Sequence, residues 1–205
     1  MSKKVTLVIA GTMVATTLAI VALLVAAAPY RPKQAVTTPS VQQIVVKTPT
    51  YTVPTEVQPI VDRLGLDPVL VSHLHIIVPS DASMCSGLIT GTPTACYGGG
   101  RLYFPRAILS RPQSVQSTIF AHEYMHYIRS IISEDEREQY AIITGNLYEQ
   151  YSSVRDRVKD YPAESYANEL HSYVCTEMRT EEIPQELLDH CLKYIPNRSI
   201  LRYTF

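Results

Sequence analysis

Between Pro112 and about Ser133, apolar residues recur at helical spacing: Ile119, Phe120, Tyr124, Tyr127, Ile128 and Ile131. With His122 set at 0° and about 100° added per residue, Phe120, Tyr124, Tyr127 and Ile131 fall between roughly 140° and 200°. His126 falls at about 40° on the same wheel. The pattern predicts a helix with an apolar back and a histidine front, opened by a proline. A second stripe, Ala163, Tyr166, Ala167, Leu170 and Val174, predicts a helix that Pro162 opens, with Glu164, Asn168 and His171 on one flank and Glu169 on the other. Between them, after the charged start Ser133 to Glu138, Asp135 to Val158 reads as one helix burying Tyr140, Ile142, Ile143, Leu147 and Tyr151. Shorter helices are expected at Pro59 to Leu64 and at about Pro184 to Tyr194. Strands are expected at His73 to Val78, at Leu88 to Thr90 or Ala95 to Tyr97, and at Arg101 to Phe104. Gly98-Gly99-Gly100 makes the turn before the last of these, because glycine alone takes positive φ freely. The expected layout is α+β, a small sheet on one side of a helical body.

The N-terminal third has a different pattern. Lys3 and Lys4 precede an uncharged stretch, Val5 to Ala28, dense in Val, Leu, Ala and Ile. At about 1.5 Å per residue it can cross a bilayer core of roughly 30 Å, so residues 1–28 read as a transmembrane anchor. A cleaved signal peptide is the competing reading. Its apolar part is usually only about 7–15 residues, and Pro29 is an awkward first residue for a mature chain. Residues 29–55, with Thr38-Pro39, Thr48-Pro49 and Val53-Pro54, read as a Pro/Thr-rich stalk. Within it, Ile44-Val45-Val46 could form a short strand. The folded domain is expected over 56–205.

Candidate chemistry lies on the predicted histidine front. His122-Glu123-Tyr124-Met125-His126 has the form H-E-x-x-H. Residues four apart on a helix lie one turn apart on one face, so both imidazoles can address one ion. Glu123 is rotated about 100° from His122, where its carboxylate can take a proton from water on that ion without ligating it. Zn²⁺ accepts imidazole nitrogen readily, and catalytic zinc sites keep a position open for water. A third ligand is then needed. The continuation H-x-x-G-x-x-H is absent, since Arg129 and Ile132 stand where its Gly and His would be. On the predicted second helix, Glu164 shares a flank with Asn168 and His171, which makes it the candidate ligand; Glu169 is the alternative.

These residues resemble the gluzincin zinc metallopeptidases, in which H-E-x-x-H is followed by a ligand Glu on a later helix. Glu164-Ser165-Tyr166-Ala167-Asn168 is similar to the E-x-x-x-D of thermolysin-like members, with Asn for Asp, and Glu164 to Ala167 to the E-x-x-A of the compact anthrax lethal factor type. The resemblance implies a zincin-like sheet, one Zn²⁺ held by His122, His126 and Glu164, and Glu123 as catalytic base. It also implies a protein or peptide substrate laid along the strand Arg101 to Pro105. His171, with Tyr161 or Tyr166, is expected to stabilise the oxyanion.

Cysteine and charge change the picture in two respects. The four cysteines fall as Cys85 with Cys96 and Cys175 with Cys191, an expected local pairing that suits an oxidising compartment. No C-x-x-C spacing exists to favour a cysteine metal site. A net charge of −1, with no basic run, excludes nucleic acid as an expected partner. His73, His75 and His190 read as ordinary surface or core histidines. The expectation is therefore a membrane-anchored, extracytoplasmic zinc endopeptidase. A non-catalytic binding module of the same fold is the alternative, and oligomeric state is not readable.

Overall fold

The computed structural model describes residues 49–85 and 94–201. The predicted anchor, most of the stalk, Ile44 to Val46 and the strand at Leu88 to Thr90 lie outside them. The chain divides into two units, Met1–Val46 and Lys47–Phe205, and every described residue belongs to the second. Among the described residues, no helix is long and apolar enough to cross a membrane. Residues 49–55 are not free stalk: the Tyr51 ring stacks on His75 at 4.5 Å, and the Tyr51 N–H donates to the Ser72 carbonyl at 2.6 Å.

The architecture is α+β. Helices α1 (Gln58–Leu64) and α2 (Pro68–Ser72) precede strand β1 (His75–Ile77). A hairpin follows, β2 (Cys96–Gly98) and β3 (Arg101–Tyr103), and then five helices: α3 (Gln113–Ile131), α4 (Glu134–Gln150), α5 (Ser152–Val158), α6 (Tyr166–Thr176) and α7 (Gln185–Tyr194). The strand order is β1-β3-β2, with β1 parallel to β3 and β2 antiparallel to it. Gly99 and Gly100, at φ 58° and 74°, supply the two left-handed residues that a tight hairpin turn requires. The sheet lies against α3 through Phe104, whose ring meets Phe120 edge-on at 5.5 Å, and through Tyr97, whose hydroxyl is 3.0 Å from Ser130 Oγ.

Local chemistry explains where the helices start and stop. Helix α3 ends at Ile131; Ser133 then caps α4 in a reciprocal capping box with Glu136. The single helix expected over 135–158 is two. Tyr151 is extended, at φ −114° and ψ 120°, and Arg155 Nη1 donates to the carbonyls of Tyr148 and Glu149, closing the end of α4. Ile142 and Ile131, expected inside, are 67% and 47% exposed. Helix α6 is the hub of the fold, with α3, α4, α5 and α7 packed around it. Its C-terminal end is held by the buried Arg198, which donates to the carbonyls of Val174, Cys175 and Met178. Both disulfides form as expected, Cys85–Cys96 beside the sheet and Cys175–Cys191 between α6 and α7. They belong to a protein of an oxidising, extracytoplasmic setting.

Candidate metal centre

Helix α3 places His122 and His126 one turn apart, with their rings edge-to-face at 4.9 Å. Helix α6 crosses opposite and brings Glu169 between them. Glu169 Oε2 is 3.3 Å from His122 Nε2, and Glu169 Oε1 is 3.5 Å from His126 Nε2. Candidate donor atoms of the three residues lie within 4.8 Å of one another. Bonds of about 2.0–2.1 Å in a tetrahedral site put donors roughly 3.3 Å apart, so two imidazole nitrogens and a carboxylate oxygen here fit Zn²⁺.

Glu164 does not join this group. It is exposed, in a 3₁₀ turn at Ala163–Ser165, and α6 begins only at Tyr166. Its polar flank-mates Asn168 and His171 favour Glu164 in the sequence, but helix α6 is covered all round over its last two turns, where Glu169 through Thr176 are buried, and the flank that carries Glu169 faces the histidines. His171 is displaced for the same reason. It is fully buried on the far side of α6, with Nε2 2.9 Å from His190 Nε2 and the Tyr140 ring alongside.

A cavity of about 150 Å³ opens over the donors, lined among others by Cys96, Tyr97, Glu123, Tyr161 and Asn168. A smaller one of about 60 Å³ lies on the other side of His122 and Tyr161, reaching Arg157 and Glu177. Tyr161 lines both cavities, and its hydroxyl helps to hold the Glu169 carboxyl down. Burial, with the Glu169 charge beside it, pushes that phenol up to about 12, so it stays protonated. The Asn168 side chain favours the charged form of His126.

The strand at the cavity is β2. The expectation for Arg101 to Pro105 is corrected: β3 is flanked on both sides by β1 and β2 and has no free edge. The tight turn makes Gly98 and Arg101 a hydrogen-bonded pair, and alternation makes Cys96 and Tyr103 the next. The N–H and C=O of Tyr97 therefore point away from β3, and the Tyr97 backbone favours the ionised Glu123 carboxylate.

Electrostatics at the site follow from burial and crowding. Burial raises the Glu123 carboxyl to about 7, the Glu169 charge adding to it and His122 and the Tyr97 backbone opposing. Burial would raise Glu169 also, yet its hydrogen bond to His122 and the neighbouring imidazoles hold it below the usual carboxylate range. Burial opposes charge on His122, but Glu169, Glu177 and Glu123 outweigh it and raise the ring to about 10. His126, buried beside His122, falls to about 4.

The second ring nitrogens also have neighbours that sequence reasoning missed. His126 Nδ1 is 2.9 Å from Ser172 Oγ, and His122 Nδ1 is 3.6 Å from Glu177 Oε1. Ser172 lies three residues after Glu169, so the i, i+3 rule would have found it once Glu169 was chosen. Glu177 lies past the helix end and carried no such signal. No family model matches the chain, and no match to it was found among curated proteins or solved structures.

Proposed function

We propose that the chain is a zinc-dependent peptidase of the gluzincin type, with His122, His126 and Glu169 as ligands and Glu123 as catalytic base. One observation carries the reading: three N,N,O donors at zinc-site spacing lie beside a buried carboxylate that does not belong to the triad. Bound Zn²⁺ supplies a Lewis acid, polarising a peptide carbonyl and lowering the pKa of water. Glu123, raised toward 7, is poised to take the proton of the attacking water and deliver it to the departing amine. The protonated Tyr161 hydroxyl is the donor for the oxyanion, a role His171 cannot fill from the core. The Tyr97 carbonyl, which points away from β3 at the cavity, offers an acceptor to the backbone of an extended peptide beside Glu123. The substrate is a protein or peptide, and the hydrophobic N-terminal segment is proposed to anchor the enzyme with its domain outside the cytoplasm.

The test is metal content and peptide hydrolysis of the purified protein, assayed together. One Zn²⁺ per chain, lost in the His122→Ala, His126→Ala double substitution along with hydrolysis of a mixed peptide library, is the expected result. Stoichiometric zinc in the double variant would refute the site. Zinc without turnover would return the chain to a non-catalytic binding module.

A further inference from the structure

Once His122 ligates through Nε2, its proton must reside on Nδ1. That atom is buried and has no hydrogen-bond partner within reach. A buried N–H left so is costly, and an acceptor is needed to fix the ring's tautomer and direction. Glu177 Oε1, at 3.6 Å, is beside it. The Glu177 side chain is only 14% exposed, and its other oxygen, Oε2, is paired with Arg157 Nη2 on α5. We infer that Glu177, steadied by Arg157, is the positioning residue that orients His122 and strengthens it as a ligand.

The inference rests on the zinc reading and adds to it a chain of contacts from His122 through the end of α6 to α5. The E-x-x-x-D pattern puts an orienting acid four residues after the ligand; with Glu169 as ligand, Tyr173 stands there. Here the acid comes instead from the residue capping the end of α6, whose N–H is held by the Tyr173 carbonyl at 2.8 Å. Helix α6 therefore carries a ligand, Glu169, and a partner for each histidine: the hydroxyl of Ser172 for His126 and the carboxylate of Glu177 for His122. The support is unequal. A carboxylate that accepts the ring proton raises ligand basicity more than a hydroxyl does, so His122 is the more strongly reinforced of the two.

Zinc affinity of the full-length chain, measured by competition with a chromophoric chelator, tests this directly. Glu177→Ala should weaken zinc binding by about 10–100-fold. Glu177→Gln, which keeps an acceptor oxygen and loses the charge, should fall between it and the wild type; Arg157→Gln should weaken binding less than Glu177→Ala. The visible spectrum of the Co²⁺-substituted protein should shift in Glu177→Gln, which a residue that only supports the fold would leave unmoved. Wild-type zinc affinity and an unchanged Co²⁺ spectrum in both Glu177 variants would overturn the inference. A wild-type chain that binds no zinc would overturn the underlying zinc reading first, and this inference with it.

Discussion

Glu123, Glu164, Glu169 and Tyr161 can each be asked a separate question by substitution. Glu123→Gln keeps the shape and removes the proton acceptor, so zinc should stay while kcat falls by about 10²–10⁴-fold, the usual worth of acid–base assistance. Glu169→Ala removes a donor from the triad and should strip zinc in a chelator titration; Glu164→Ala, in an exposed turn, should leave metal and activity alone. Retained zinc in Glu169→Ala would move the third ligand elsewhere. Tyr161→Phe should lower kcat by about 10²–10³-fold with little change in zinc affinity, as expected for the loss of one oxyanion donor. If Tyr161→Phe lost metal instead, its main role would be to hold the Glu169 carboxylate ionised. The two histidines of the candidate site were readable because they lie four apart within five consecutive residues. The acid the structure places opposite them was not, because whether Glu164 or Glu169 faces them depends on what covers α6, and the covering helices come from distant parts of the chain.

Helix α6 shows how much of the site depends on one element being held at both sides. Its C-terminal carbonyls are gathered by Arg198, 1% exposed, which also donates to Thr180 Oγ1 at 2.8 Å. Arg198→Met should lower stability by at least about 3 kcal/mol, since it leaves several buried carbonyls without a donor. Denaturant unfolding at neutral pH measures this, and a loss under about 1 kcal/mol would mean that water replaces the guanidinium. Lysine should not rescue, because it cannot span carbonyls with a planar fork. In the sequence, nothing local marks Arg198 for the core. Short-range signals fared better: the glycine hairpin, the final helix and both disulfides lie where spacing put them. What spacing could not supply was the parallel pairing of residues 75–77 with 101–103, which puts β3 in the middle and leaves β1 and β2 as the edge strands among the described residues.

The folded protein's response to pH follows from how its buried histidines differ. His171 and His190 share one hydrogen bond, Nε2 to Nε2, so one ring donates, the other accepts, and both are neutral. Burial lowers His190 to about 4, Glu136 opposing and Lys193 assisting; burial and His190 hold His171 well below its ordinary value. In the unfolded chain both titrate near 6.5. Between these values the unfolded state binds more protons than the folded one, so stability falls as pH drops below about 6.5. For His190 alone the loss by pH 4 is roughly 3 kcal/mol, and His126, lowered to about 4, adds to it. His122 acts in the opposite sense. Raised to about 10, it favours the folded state below pH 6.5 and loses that contribution as pH rises toward 10. The chelator-treated protein should therefore be most stable near neutrality and weaken in acid. His190→Gln keeps a partner for His171 without a titrating ring, so its urea midpoint should fall less between pH 7 and pH 4 than that of the wild type. Equal slopes in the two proteins would show that the buried pair contributes nothing to the acid limb.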